Sequence, residues 1–276
     1  MRGDSSTTAI GSNKKIGARQ RLRNMVLAPS VIAGLVMAIG VAASLAYWRE
    51  ADIRREADEQ RQFVASFSQF EADLQRRIDV LRGLVIGIQG LFLAAEDIDR
   101  AEFRRYHANL RSQLRVPGVR ALHFTRWVPA AARDSFVARV RRDKSTDGEG
   151  YPDFDIHPAT GGREHFVIEF IEPFEPNRRA FGLDALSQPV SRESFLAARD
   201  SGGISITTPF TLIQGRSGER GMVMRAPIYR RGAPINNAEQ RREAFVGLAG
   251  ISLDAAEIVS DIVAAPYLDD LCVSID

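Results

Sequence analysis

The stretch VRALHFTRWVP, residues 119–129, decides the fold. The helix-breaking VPG at 116–118 bounds it on one side, and its own Pro129 closes it on the other. Its apolar residues (Ala121, Leu122, Phe124, Trp127 and Val128) fall on both parities. A strand that is apolar on both faces is covered on both faces, so this segment belongs in the interior of a sheet with material on either side.

Upstream, DRAEFRRYHANLRSQLR reads as a helix: Asp99 can cap it, Glu102 sits at the third helical position, and Phe103, His107, Leu110 and Leu114 line one side. Before it runs a longer charged helix. Its apolar positions Phe63, Phe67, Phe70, Leu74, Ile78, Leu81, Val85, Ile88 and Phe92 recur by threes and fours. That stripe can pack against its own domain or against a second copy, and the two uses can hold at different heights. Gly83, Gly87 and Gly90 weaken the helix intrinsically, which points to close backbone approach.

Further upstream, VLAPSVIAGLVMAIGVAASLAY (26–47) holds no charge. As a helix it spans about 33 Å, enough for a bilayer core. The small residues in VAASLA also allow a signal-peptide reading. The apolar run is long for that role and ends in Tyr47-Trp48, so an uncleaved anchor is preferred. The arm 1–25 is basic and rich in Ser, Thr and Gly, placing the N-terminus in the cytoplasm and residues 49–276 in the periplasm of a cell with an inner membrane.

Downstream of the deciding strand, AAARDSFVARVRR reads as a helix. DFDIHP and REHFVIEFIEPF read as strands, and FGLDALSQPVSRESFLAARDSG (181–202) as a loop and a helix ending at glycine. GISITTPF and GMVMRAPIY add strands. A polar break, RRGAPINNAEQRRE, leads to the strand AFVGLAGISL, a helix from near Asp254 and a last strand, LCVSID. The class expected is α+β with antiparallel sheets, in two small units in series divided at that polar break.

Of 276 residues, 37 are basic and 35 acidic, a balance that gives no reason to expect nucleic acid as a partner. Cys272 is alone, so no intrachain disulfide forms. The sequence has no nucleophile elbow, no phosphate-cradling glycine loop and no metalloprotease helix motif. His107, His123, His157 and His165 lack the spacing of a metal site, and His123 and His165 read as core histidines. Glu169, Glu172 and Glu175 could form an acid/base set, but their alternation with apolar residues reads as the solvent side and end of a strand. No catalytic residues, metal or cofactor are expected.

The order of these motifs resembles that of CHASE domains, the extracytoplasmic sensor modules of histidine kinases and nucleotide cyclases that include the cytokinin receptors. The motifs VPGVRALHFTRWVPAAARDSF, YPDFDIHP, REHFVIEFIEPFEPN, FGLDALSQPVSRESFLAARDSG, ITTPFTLIQ, GMVMRAPIY and GLAGISLD carry the resemblance over roughly residues 80–260. It implies a stalk helix (48–96), a distal PAS-like ligand-binding unit (97–229) and a second, proximal PAS-like unit (230–276). A second membrane helix and a cytoplasmic effector would follow, making this chain the N-terminal piece of a larger receptor.

By the same resemblance Asp184 is a hydrogen-bond acceptor for a small ligand. The alternative is that it satisfies backbone N–H groups in the turn before Pro189. Ile206 is expected on the pocket floor, Thr207 or Thr208 as a hydroxyl contact, and Phe210 or Leu212 as a wall. Arg178 and Arg179 near the rim make an anionic ligand as plausible as a cytokinin-like one. The expectation is a membrane-anchored homodimeric sensor of a small molecule, driving a histidine kinase of a two-component system. The alternatives are a diguanylate cyclase or phosphodiesterase effector, and a ligand-free assembly domain.

Overall fold

The computed structural model describes residues 14–95, 97–159, 161–162, 164–213 and 220–268, with side chains from residue 30 onward. Most of the basic arm and the strand read in LCVSID lie outside them. The chain divides into two units, Met1–Phe67 and Ser68–Asp276.

The long helix α1 (Lys14–Ala94) runs through the anchor and stalk segments. In the first unit nothing among the described residues covers it: Val31, Leu35, Met37, Ile39 and Leu45 each keep more than half of their surface. Among the described residues this is the one helix long and apolar enough to cross a membrane. Phe63 and Phe67, one turn apart, stack at 6.4 Å between ring centroids and are also exposed.

In the second unit, α2 (Arg100–Gln113) precedes β1 (Val119–Pro129) and α3 (Arg133–Arg141). Next come β2 (Glu164–Glu172), α4 (Phe174–Asn177), α5 (Pro189–Ser201), β3 (Ser205–Ile206) and β4 (Phe210–Thr211). The described chain closes with β5 (Arg220–Tyr229), α6 (Ala238–Ala244), β6 (Phe245–Asp254) and α7 (Ala255–Val263). Asp99 caps α2 as read: it accepts from Glu102 N–H at 2.7 Å while Glu102 reaches back to Asp99 N–H at 3.0 Å. Asp254 likewise caps α7. Pro189 opens α5 and Gly202, with φ 78°, ends it.

The strands form one sheet in the order β2-β1-β6-β5-β3, with β4 also on β5, and the paired strands run antiparallel. The α+β class with a long helix and an antiparallel sheet therefore holds. The expected separate sheet unit from residue 230 is corrected: β6 lies between β1 and β5 in the middle of this same sheet. The reason is visible in its composition, since FVGLAGISL is apolar on both parities, the signature already used for β1. DFDIHP forms no strand and contributes one bridge, His157 to Leu183. The polar break contains α6, capped by Asn237, which accepts from Gln240 N–H at 2.9 Å.

One face of the sheet packs on α1 and α2. Leu81, Leu84, Val85 and Ile88 of α1 and Phe103 of α2 meet Leu122, Phe124, Phe170, Ala249 and Ile251. Phe92 stacks on Phe124 at 4.2 Å. The upper part of the periodic stripe thus packs within its own domain. Of the three helical glycines, Gly87 alone has the expected neighbour, since a Cβ there would lie 2.7 Å from Tyr106 Oη. The other face carries α5 and α6, with Phe195 and Ala198 of α5 and Ala244 of α6 packed against Phe166, Tyr229, Phe245 and Leu248.

A β-bulge separates Phe124 and Thr125 from their β2 partners, Phe170 and Ile168, leaving Glu169 as the extra residue. The alternation reading that put Glu169 at the solvent is corrected, because its side chain is 0% exposed. Arg126 Nε donates to one carboxylate oxygen, and Arg139 Nη2 lies 2.7 Å from the other. The Glu169 carbonyl accepts from Arg100 Nη1 at 2.8 Å. Glu172 is also buried and accepts from Arg104 Nε at 3.0 Å. Glu175 pairs with Arg178 in solvent at 2.9 Å.

Candidate functional site

On the sheet face away from α1, the central strands carry polar side chains where the rest of the core is apolar. His123 and Thr125 come from β1, Ser252 from β6 and Arg225 from β5. The register sets His123 opposite Gly250 and Gly250 opposite Arg225. Gly250 is required there because a Cβ would lie 2.2 Å from His123 Cε1, so the imidazole lies over the bare backbone of β6. These residues floor a cavity of about 20 Å³. Its roof is Ser191 and Phe195 of α5 with Gln188 in front of them, and Leu183, Ala185, Phe210, Leu212 and Ile213 form its walls.

The electrostatics are set by Arg225, whose residue is 3% exposed. Its Nη1 donates to Ser194 Oγ at 3.0 Å and its Nη2 to Ser191 Oγ at 3.3 Å. The guanidinium lies 4.1 Å over the Phe195 ring. Burial pulls its pKa down to about 9, which still leaves it protonated at neutral pH. Burial, and after it the Arg225 charge, push His123 down to about 3, so that imidazole is neutral. His123 Nδ1 lies 3.3 Å from Thr125 Oγ1.

The residues expected to bind a ligand separate. Phe210 and Leu212 line the cavity. Ile206 does not, and is 50% exposed on the edge strand β3. Thr207 is buried, but its Oγ1 accepts from Val223 N–H at 3.0 Å and is engaged in the sheet. Thr208 is exposed and outside the cavity. Asp184, 1% exposed, sits between two wall residues without lining the cavity itself. Its Oδ1 accepts from Phe166 N–H and Leu186 N–H, each at 3.1 Å, and its Oδ2 is 2.9 Å from His165 Nδ1. Asp184 therefore fastens the 181–187 turn to β2, the alternative role weighed for it. Arg178 and Arg179 are exposed and lie outside the cavity. One sequence signal does point to the cavity: Arg225 is a lone charge inside the apolar strand GMVMRAPIY.

A larger groove of about 680 Å³ lies between α2 and the start of β1, lined by His107, Arg111, Arg115, Arg120, Asp254 and Glu257 among others. It is open to solvent, and Arg120 already pairs with Asp254 and Glu257. The inner cavity holds the more costly arrangement, a buried cation held by neutral groups.

The layout is a helix-backed antiparallel sheet with a polar pocket on its other face. A CHASE domain family model matches residues 96–273, and the chain belongs to that family. Among curated proteins it is similar to Histidine kinase 2 of Arabidopsis thaliana, 25% identical over 170 residues, which is 59% of this chain and 14% of that protein. The chain thus spans a small part of that relative's length. Among solved structures it is similar to the periplasmic sensory domain of the Campylobacter jejuni chemoreceptor Tlp1. The identity is 14%, with 77% of this chain and 63% of that one covered, at a TM-score of 0.37.

Proposed function

We propose that this chain is the sensing portion of a membrane-anchored receptor, that the cavity beneath α5 receives a small molecule, and that a histidine kinase is the effector. Membership of the CHASE family and the similarity to a histidine kinase support this reading, and the polar floor of the cavity is an arrangement a small molecule could use. The route to the stalk runs through β5. That strand bears Arg225 on the cavity side, and its Pro227 carbonyl accepts from Gln89 Nε2 of α1 at 2.6 Å. Occupancy on one face of the sheet would bias how the other face packs on α1, a population shift between two packings. A thermal-shift screen of the full chain in detergent, using charged and neutral metabolites, tests this. A compound that raises the melting temperature of the wild type but not of a cavity-filling Ser252→Leu variant supports it. A chain that responds to nothing sinks it. The second reading, a ligand-free assembly domain, is favoured by the cavity's volume of about 20 Å³, roughly the room one water needs.

The uncovered apolar residues of α1 support membrane insertion, the basic arm 1–25 supports the sensor lying outside, and exposed Phe63 and Phe67 support pairing of stalks as a homodimer. Single cysteines at 63 and 67, in a Cys272→Ser background, report both properties. Labelling by a membrane-impermeant maleimide on intact cells is expected, as is disulfide crosslinking between copies. Protection from the reagent would reverse the topology, and labelling without crosslinks would remove the stalk dimer.

A further inference from the structure

We infer that the cavity's ligand is a small monocarboxylate, its carboxylate on the Arg225 guanidinium and its apolar remainder against Phe210, Leu212 and Val223. This rests on the sensor reading above and narrows it to one chemical class.

The argument begins with Arg225 as it stands without a ligand. Arg100, buried to the same 3%, has a counter-ion: its Nε donates to the Asp143 carboxylate at 3.2 Å, and its Nη1 to the Glu169 carbonyl. Arg225 has two serine hydroxyls and an aromatic face. Among the described residues no carboxylate pairs with it, and its buried Nε–H has no acceptor. Buried arginines are almost never left so, because neutral hydroxyls do not cancel the charge that desolvation makes costly. The neighbouring His123 is neutral and brings no negative charge. Ser191 and Ser194, both on the first turns of α5, accept from the guanidinium and keep it over the Phe195 ring. A guanidinium fixed by two hydroxyls, with its Nε–H unused, suits a carboxylate, whose oxygens accept charge-assisted N–H bonds from such a group.

The surroundings choose the rest of the molecule. Away from Arg225 the walls are Leu183, Ile168, Val223, Phe210, Leu212 and Ile213, with no second cation among the cavity's residues. That excludes a dicarboxylate's second charge. The volume demands a short chain, since even a two- to four-carbon acid requires the apolar walls to yield.

The test uses the full chain in detergent at constant ionic strength. Sodium acetate, propionate, butyrate, lactate and pyruvate are compared by thermal shift with sodium chloride, with acetamide, propionamide and butyramide, and with adenine as a neutral purine. At a hundredfold excess over Kd, at least one carboxylate is expected to raise the melting temperature by about 5 °C. Its amide and chloride should not. Arg225→Met is expected to fold with unchanged or higher stability, as replacement of a poorly paired buried charge by a similar apolar volume usually does. In it the carboxylate's affinity, measured by calorimetric titration, should fall at least tenfold. Arg225→Lys keeps the charge without the fork, should lose affinity as well, and serves if the Met variant does not fold. The inference is overturned if no carboxylate shifts the wild type, if the amides or chloride act equally, or if affinity survives both substitutions. A response to adenine or an amide alone overturns the carboxylate and leaves sensing intact. Silence toward every compound here and in the metabolite screen removes both.

Discussion

Asp184→Ala is expected to lower the unfolding free energy by about 3–5 kcal/mol. The carboxylate is the acceptor for Phe166 N–H, Leu186 N–H and His165 Nδ1, all in a site from which water is excluded. Each orphaned donor costs roughly 1–3 kcal/mol, and the costs do not simply add because the turn can relax. Asp184→Asn keeps the shape but turns an N–H₂ toward one of these donors, and about 1.5–3 kcal/mol should be lost. The cavity walls Leu183 and Ala185 flank Asp184, yet its oxygens are spent on the protein. A bound ligand's affinity in the folded fraction should therefore change by less than about threefold. Urea denaturation gives the first quantity and titration the second. A variant as stable as wild type with greatly weakened binding would reverse the assignment and return Asp184 to the pocket.

What the sequence made legible follows from where its signals act. Periodicity and capping are local, and they located α2, α5 and α7 with their caps, as well as the apolar span of α1. Two-sided apolar strands were readable as central, and β1 is central. The same rule applied to residues 245–254 would have placed β6 beside it, but the polar break before that strand suggested a new unit instead. That break is a surface excursion containing α6.

The pocket was harder to read because its residues come from β1, β5, β6, α5 and the 205–213 segment, which only the sheet register brings together. Two-residue strands such as β3 and β4 carry too little alternation to fix facing, and Ile206, expected on the pocket floor, lies half exposed at the sheet edge. In the sequence Asp184 is a carboxylate in an apolar setting. The same description fits a buried cap, and the sequence does not show which donors a carboxylate meets. Arg225 is visible in the sequence as a lone charge in a strand, but that nothing acidic among the described residues pairs with it is a property of the tertiary structure alone.

The bulge at Glu169 supports the second large effect. Arg126→Met is expected to destabilise the protein by about 3 kcal/mol, because it removes the closer of two cations from a fully buried carboxylate. Arg139 remains but is half exposed, and a solvated partner compensates a buried charge only in part. The physical cause is a stranded charge, so neutralising that charge should restore stability. Glu169→Gln in the Arg126→Met background is therefore expected to be more stable than Arg126→Met alone, with a coupling of about 1–3 kcal/mol in the cycle. Simple loss of contacts predicts the opposite, since each further substitution would then lower stability again. Chemical denaturation of the four proteins decides between them. If the double variant is the least stable, Glu169 and Arg126 act as packing rather than as a charge pair. The bulge would then owe its place to the Arg100 bond on the Glu169 carbonyl, which both substitutions leave in place.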